Sequence, residues 1–241
     1  ADLNSKIKEA YGRAYAGFAE ALRIHDEWEN IYIENMDFAE ANRLTEEVIG
    51  SLYGDRTVPK ESRVDRRYLG AATPRGAVDF VPNLTDGLPR RILIKGRPGS
   101  GKSTMLKKIA AAAVDRGFDV EIYHCGFDPN SLDMVIVREL GFAIFDSTAP
   151  HEYFPERDSD EVLDMYTRCI KPGTDEAYEG ELNEIRQRYA AKMKESIGQL
   201  ATAKSYHDEL ERIYGQAMDF AVVDRMRDSI RRDFAAMQDT E

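Results

Sequence analysis

The run Gly96-Arg97-Pro98-Gly99-Ser100-Gly101-Lys102-Ser103-Thr104 has the spacing G-x-x-x-x-G-K-[ST], and its residue types suit the holding of nucleotide phosphates. Glycines at these positions allow tight turns and positive φ, so that successive N–H groups converge on phosphate oxygens. Arg97, Pro98 and Ser100 complete the backbone cradle. Lys102 is a mobile positive charge for β- and γ-phosphates, and Ser103 offers a hydroxyl to Mg²⁺. Thr104 follows at the α-phosphate end. The apolar run Phe142-Ala143-Ile144-Phe145 ends at Asp146, a Walker B pattern that sets a carboxylate beside the same Mg²⁺.

A second tier of residues lies close by in sequence. His124, Cys125 and Asp128 follow a predicted strand whose end points into the ligand crevice of such sheets. Asp128 could serve as a general base or support magnesium, and capping the turn at Pro129-Asn130 is its structural alternative. His151 and Glu152 could position water, or be plain loop residues. The residues after Asp146 are Ser147 and Thr148; the glutamate that RecA-like and AAA-like ATPases usually hold there is missing. No [NT]KxD sequence occurs, which weakens a GTPase reading.

The elements that must position these residues are legible around them. Residues 91–95 read as a strand, residues 102–116 as a helix ending at Gly117, and residues 120–124 and 142–145 as further strands. Thr73-Pro74-Arg75-Gly76 reads as the turn of a β-hairpin. Arg63, Arg66 and Arg67 read as a solvated linker.

The chain also repeats itself. Residues 25–39, HDEWENIYIENMDFA, and residues 207–221, HDELERIYGQAMDFA, are identical at ten of fifteen positions with an offset of 182. Each copy reads as a long amphipathic helix and a shorter one, folded as a hairpin. The first stripe is Ile7, Tyr11, Ala14, Phe18, Leu22, His25, Trp28 and Tyr32; the second runs from Leu182 through Ile185, Tyr189, Met193, Ile197 and Leu200 to Leu210. Asp37 is expected to cap the second helix of the first copy, with Glu40 reaching back as capping-box partner, and Asp219 to cap its counterpart. His25, Asp26 and Glu27 point about 100° apart in succession and do not share one ligand sphere.

Composition bounds the rest. The chain has 241 residues, 44 acidic against 33 basic side chains and a formal charge of −11, a balance that argues against a nucleic-acid partner, because phosphate binding needs a concentrated basic face. Two cysteines make no disulfide framework, and there is no apolar run near membrane-spanning length or signal pattern at residue 1, so a cytoplasmic protein is expected.

GRPGSGKST, HCGFDPNSLDMVI, ELGFAIFDSTAPHEY and the duplicated HDE…IY…MDF element together resemble a bacterial family of tandem P-loop ATPases, in which two P-loop halves are fused and each carries a helical hairpin. The resemblance implies ATP and Mg²⁺ as ligands, with residues 1–52 as the hairpin tail of one half and the remainder as the other half. The expected fold is α/β, a P-loop NTPase-type mainly parallel sheet flanked by helices, with long helical hairpins at both ends. Its parts are a hairpin at 1–52, a linker at 53–67, a nucleotide-binding core at 68–173 and a hairpin at 174–241. Lys102, Asp146 and Asp128 are the candidate catalytic residues, Gly96 to Thr104 the nucleotide contacts, and Ser103 and Asp146 the metal ligands. The primary expectation is an ATPase that moves its hairpins. The alternatives are a kinase whose lid would use Arg138, Arg157 or Arg168, and a nucleotide-gated scaffold. The hairpins also offer a surface for self-association or for a protein partner.

Overall fold

A computed structural model describes residues 2–238. Helices α1 (Leu3–Glu34) and α2 (Phe38–Tyr53) lead into β1 (Val64–Tyr68), β2 (Gly70–Thr73), β3 (Gly76–Asp79), α3 (Val81–Leu84), β4 (Arg90–Lys95) and α4 (Lys102–Asp115). Then follow β5 (Val120–His124), β6 (Leu132–Val137), β7 (Phe142–Asp146), β8 (Asp160–Asp164), α5 (Met165–Cys169), α6 (Thr174–Ala177), α7 (Glu179–Ala217) and α8 (Phe220–Gln238).

The fold is mixed α/β. Its six-stranded sheet has the order β1-β5-β6-β7-β4-β8, and only β6 runs against the others. β4 lies between β7 and the edge strand β8 and is buried on both faces, as its unbroken apolar run Ile92-Leu93-Ile94 requires. Ile92 and Ile94 join a core beneath α2, α4 and α5, and Leu93 joins a second core. The β2–β3 hairpin, closed at Thr73–Gly76, adjoins that second face through Leu69 and Val81.

Several sequence expectations need correcting. Residues 64–67 are not linker: β1 is an edge strand paired in parallel with β5 from Val64↔Val120 to Tyr68↔His124. Neither β6 nor β8 was anticipated, because β6 lies within a run first read for its pocket residues and β8 is polar and short. The two helices of a repeat copy do not fold onto each other as a hairpin. Instead α1 packs antiparallel on α7, while α2 packs on α4 and α5. Tyr53 fixes α2 there, donating from its hydroxyl to Ile109 O at 2.9 Å.

The seam of α1 also differs from the expected stripe. Ala10, Ala14 and Ala21 are fully buried, whereas Tyr11 and Tyr15 are exposed. Small residues win because α7 approaches closely: a Cβ on Gly17 would lie 2.2 Å from Ser196 Oγ. Charged pairs flank the seam at Glu20–Lys192 (3.1 Å) and Glu27–Arg188 (2.6 Å). Asp37 does cap α2, accepting from Glu40 N at 2.9 Å. The reciprocal half of the capping box is absent, since the Asp37 amide donates to Cys169 O and Glu40 pairs with Arg168.

Gly17→Val is expected to force α1 and α7 apart and cost about 1–3 kcal/mol. Gly12→Ala meets nothing within 4 Å and is expected to gain about 0.5–1 kcal/mol from helix propensity. Urea denaturation of the two variants checks the opposite signs.

Candidate functional site

The glycine-rich turn leaves β4 at Lys95 and enters α4 at Lys102. Gly99 and Gly101 have φ of 72° and 88°, which side-chain-bearing residues rarely adopt. Gly101 is the N-cap of α4, and no side chain caps the helix's first amides there. Lys102 is buried and folds back over the turn, donating from Nζ to Arg97 O at 2.8 Å. The same Nζ lies 3.6 Å from Asp146 Oδ2. Ser100 Oγ also donates to Arg97 O, at 2.8 Å.

Topology explains why Asp146 is there. β7 pairs directly with β4 in parallel register, Ile94↔Asp146, so the carboxylate emerges beside the turn. Thr148 Oγ1 donates to its Oδ1 at 2.6 Å. Ser103 stands in the first turn of α4, and its hydroxyl accepts from Leu132 N at 2.9 Å. Thr104 is exposed on α4, and Pro98 and Gly96 shape the turn. Arg97 directs its guanidinium outward, onto Asp175 at 2.8 Å and over the Tyr166 ring at 4.9 Å.

Sequence reasoning missed a second carboxylate. Asp133, in the otherwise apolar β6, is buried one register step beyond the pair Met134↔Phe145 and so faces Asp146. Burial above all, and then the Asp146 charge, pushes its carboxyl up to about 6. A lone aspartate inside LDMVIV was the available signal. Cys125 is likewise pushed up to about 12 by burial and then by Asp133, so it is a poor nucleophile.

The other surprise is that α1 covers the turn. A Cβ on Gly99 would come within 2.4 Å of Glu29 O, and one on Gly101 within 3.7 Å of Met36. Glu29 has its carboxyl raised, by burial first and then by Asp26, against the opposing pull of Lys102. His25 is lowered, by burial first and then by Lys102. It sits among Trp28, Phe127 and Tyr189 at ring separations of 5.7–6.2 Å, with Nδ1 3.7 Å from Glu29 Oε1. The Tyr32 hydroxyl donates to Asp175 at 2.6 Å, the same carboxylate that holds Arg97. His25, Asp26 and Glu29 place one ligand atom each within 4.8 Å of one another, as do His207, Asp208 and Glu211; Glu27 is turned away to Arg188.

The remaining candidates each have a partner within the fold. Asp128 Oδ1 accepts from Asn130 N at 3.0 Å and so caps its turn. His124 meets Pro129 O, His151 meets Asp79 at 2.7 Å, and Glu152 meets Lys95. Arg138 binds Glu121, Arg157 binds Leu88 O and Arg168 binds Glu40. Among the described residues, no helix is long and apolar enough to cross a membrane. No family model, curated protein or solved structure matches the chain.

A folded-state carboxyl raised above its unfolded value favours the fold while protonated, and that contribution is lost as pH rises. In metal-free buffer Asp133 is therefore expected to cost about 1–3 kcal/mol of stability as pH climbs from about 4 to 7. Asp133→Asn should gain on the wild type over that range in urea denaturation. Parallel pH profiles would contradict the assignment.

Proposed function

We propose that the chain binds a nucleoside triphosphate with Mg²⁺ and hydrolyses it, with ATP as the nucleotide that the family resemblance implies. The observation that carries this reading is the convergence on one point of the positive-φ turn, Lys102, Ser103 and Asp146. The Lys102 ammonium bonds to a turn carbonyl and lies beside Asp146; both are partners that phosphate and metal can replace. The bare amides at the start of α4 favour an anion. Ser103 Oγ, Asp146 and Asp133 form a hard oxygen set suited to Mg²⁺, which would also relieve the repulsion between the facing carboxylates.

Hydrolysis would transfer the terminal phosphoryl group to water. No acid follows Asp146 directly; the half-buried Glu29 and His25 of α1, both within electrostatic reach of Lys102, are the groups proposed to position the water. Phosphate entering beneath Glu29 has to displace the last turns of α1, which ties the nucleotide cycle to helix movement. A kinase reading loses support because Arg138, Arg157 and Arg168 are all engaged elsewhere.

With ATP and Mg²⁺ at about 100 times Kd, linkage gives about 2.7 kcal/mol, or a rise in Tm of roughly 5–10 °C. Lys102→Ala is expected to abolish that rise, and Ser103→Ala and Asp146→Asn to abolish its Mg²⁺ dependence. A thermal-shift screen of ATP and GTP, run beside a phosphate-release assay, checks both parts. Equal shifts in wild type and Lys102→Ala would end the proposal.

A further inference from the structure

Three of the ten residues that the two repeat copies share are ones with which the first copy holds the glycine-rich turn. Glu29 lies backbone-to-backbone on Gly99, Met36 lies over Gly101, and Tyr32 reaches the turn through Asp175 and Arg97. Each has an identical counterpart 182 residues on: Glu211, Met218 and Tyr214. Tyr32 is 0% exposed, whereas Tyr214 is 62% exposed. Among the described residues, the repeated set at Tyr214 and Met218 is exposed.

The correspondence runs past the identical stretch. Ala41, Leu44, Val48 and Leu52 are the positions through which α2 packs on the core. At the same offset α8 carries Val223, Met226, Ile230 and Phe234, apolar at every one. Leu52 is 1% exposed and Phe234 65%, and none of the described residues of α8 is buried. A stripe of this size exceeds the scattered apolar exposure that a surface tolerates.

This bare surface is continuous with an interface already present. The α1–α7 contacts, such as Gly17–Ser196 and Glu27–Arg188, follow an antiparallel pairing that is close to two-fold symmetric under the repeat. The covered turn lies at one end of that pair. The symmetric position, about 40 Å away at 1.5 Å per residue, is the outer end of α7.

We infer that the end of α7 and α8 form a seat for a second α/β core of the kind residues 64–173 build. The second core's glycine-rich turn would rest against Glu211 and Met218, and its following helix against Val223, Met226, Ile230 and Phe234. The chain's own core is not the occupant, since α1 and α2 already fill that face. The inference uses the packing of the core and not the nucleotide, so it stands or falls apart from the proposed hydrolysis.

The test pairs two forms of the full chain without nucleotide. Leu44→Asp/Val48→Asp detaches α2 and opens a core face; wild type supplies an intact α8. Analytical ultracentrifugation is expected to show a 1:1 complex with a Kd of about 10 μM or tighter. Tyr214→Ala/Met226→Asp in the wild-type partner should weaken it at least about tenfold. Should the opened variant not fold by circular dichroism, Met36→Ala provides a milder opening, read in the same way. Absence of a complex, a complex indifferent to the Tyr214/Met226 changes, or a wild-type dimer formed through α8 alone would overturn the inference.

Discussion

The contact between α1 and the glycine-rich turn is the constraint on which the rest of this structure depends. At Gly99 the two backbones approach so closely that even a methyl group would collide with Glu29 O. Such an approach needs glycine on one side and a rigid helix on the other. The rigidity comes from α7, which locks α1 along a seam of alanines and Gly17. The orientation comes from the break at residues 35–37, where Met36 bridges to Ile170 and the Asp37 amide donates to Cys169 O. Helix, turn and core therefore pack as one unit.

Electrostatics act at the same point. Lys102 is one cation facing two carboxylates on adjacent strands, Asp146 and Asp133, with Glu29 near the mouth. In a site sheltered from water this imbalance is not screened, and burial and the Asp146 charge raise Asp133 well above an ordinary aspartate. A local excess of negative charge around a lone lysine suits a metal ion arriving with its anion better than an anion alone. Under the proposed function, nucleotide and Mg²⁺ are therefore expected to bind together.

The repeat takes on a different meaning in three dimensions. As a sequence it looked like two equivalent hairpins. In the fold the long helices pair with each other, and the short ones take unequal places: α2 completes the main core, and α8 carries a matching apolar stripe into solvent. The second copy keeps Glu211, Tyr214 and Met218, the counterparts of the residues with which α1 and its end hold the turn, and Tyr214 and Met218 are exposed.

The turn itself, its strand and helix, the strands at 120–124 and 142–146 and the β2–β3 hairpin were legible from sequence alone, because local spacing and φ preference set them. The Asp37 cap was legible for the same reason. The register and order of the sheet were not, so β1 passed for linker and Asp133 went unnoticed; strand pairing depends on contacts remote in sequence. Nor was the true seam of α1, because the expected stripe of large apolar residues assumed a looser neighbour than α7 proves to be. Local chemistry wrote the glycine-rich turn into the chain. Long-range packing alone decided that a helix from the first repeat lies over it, since no single segment carries the energy of a contact shared by two.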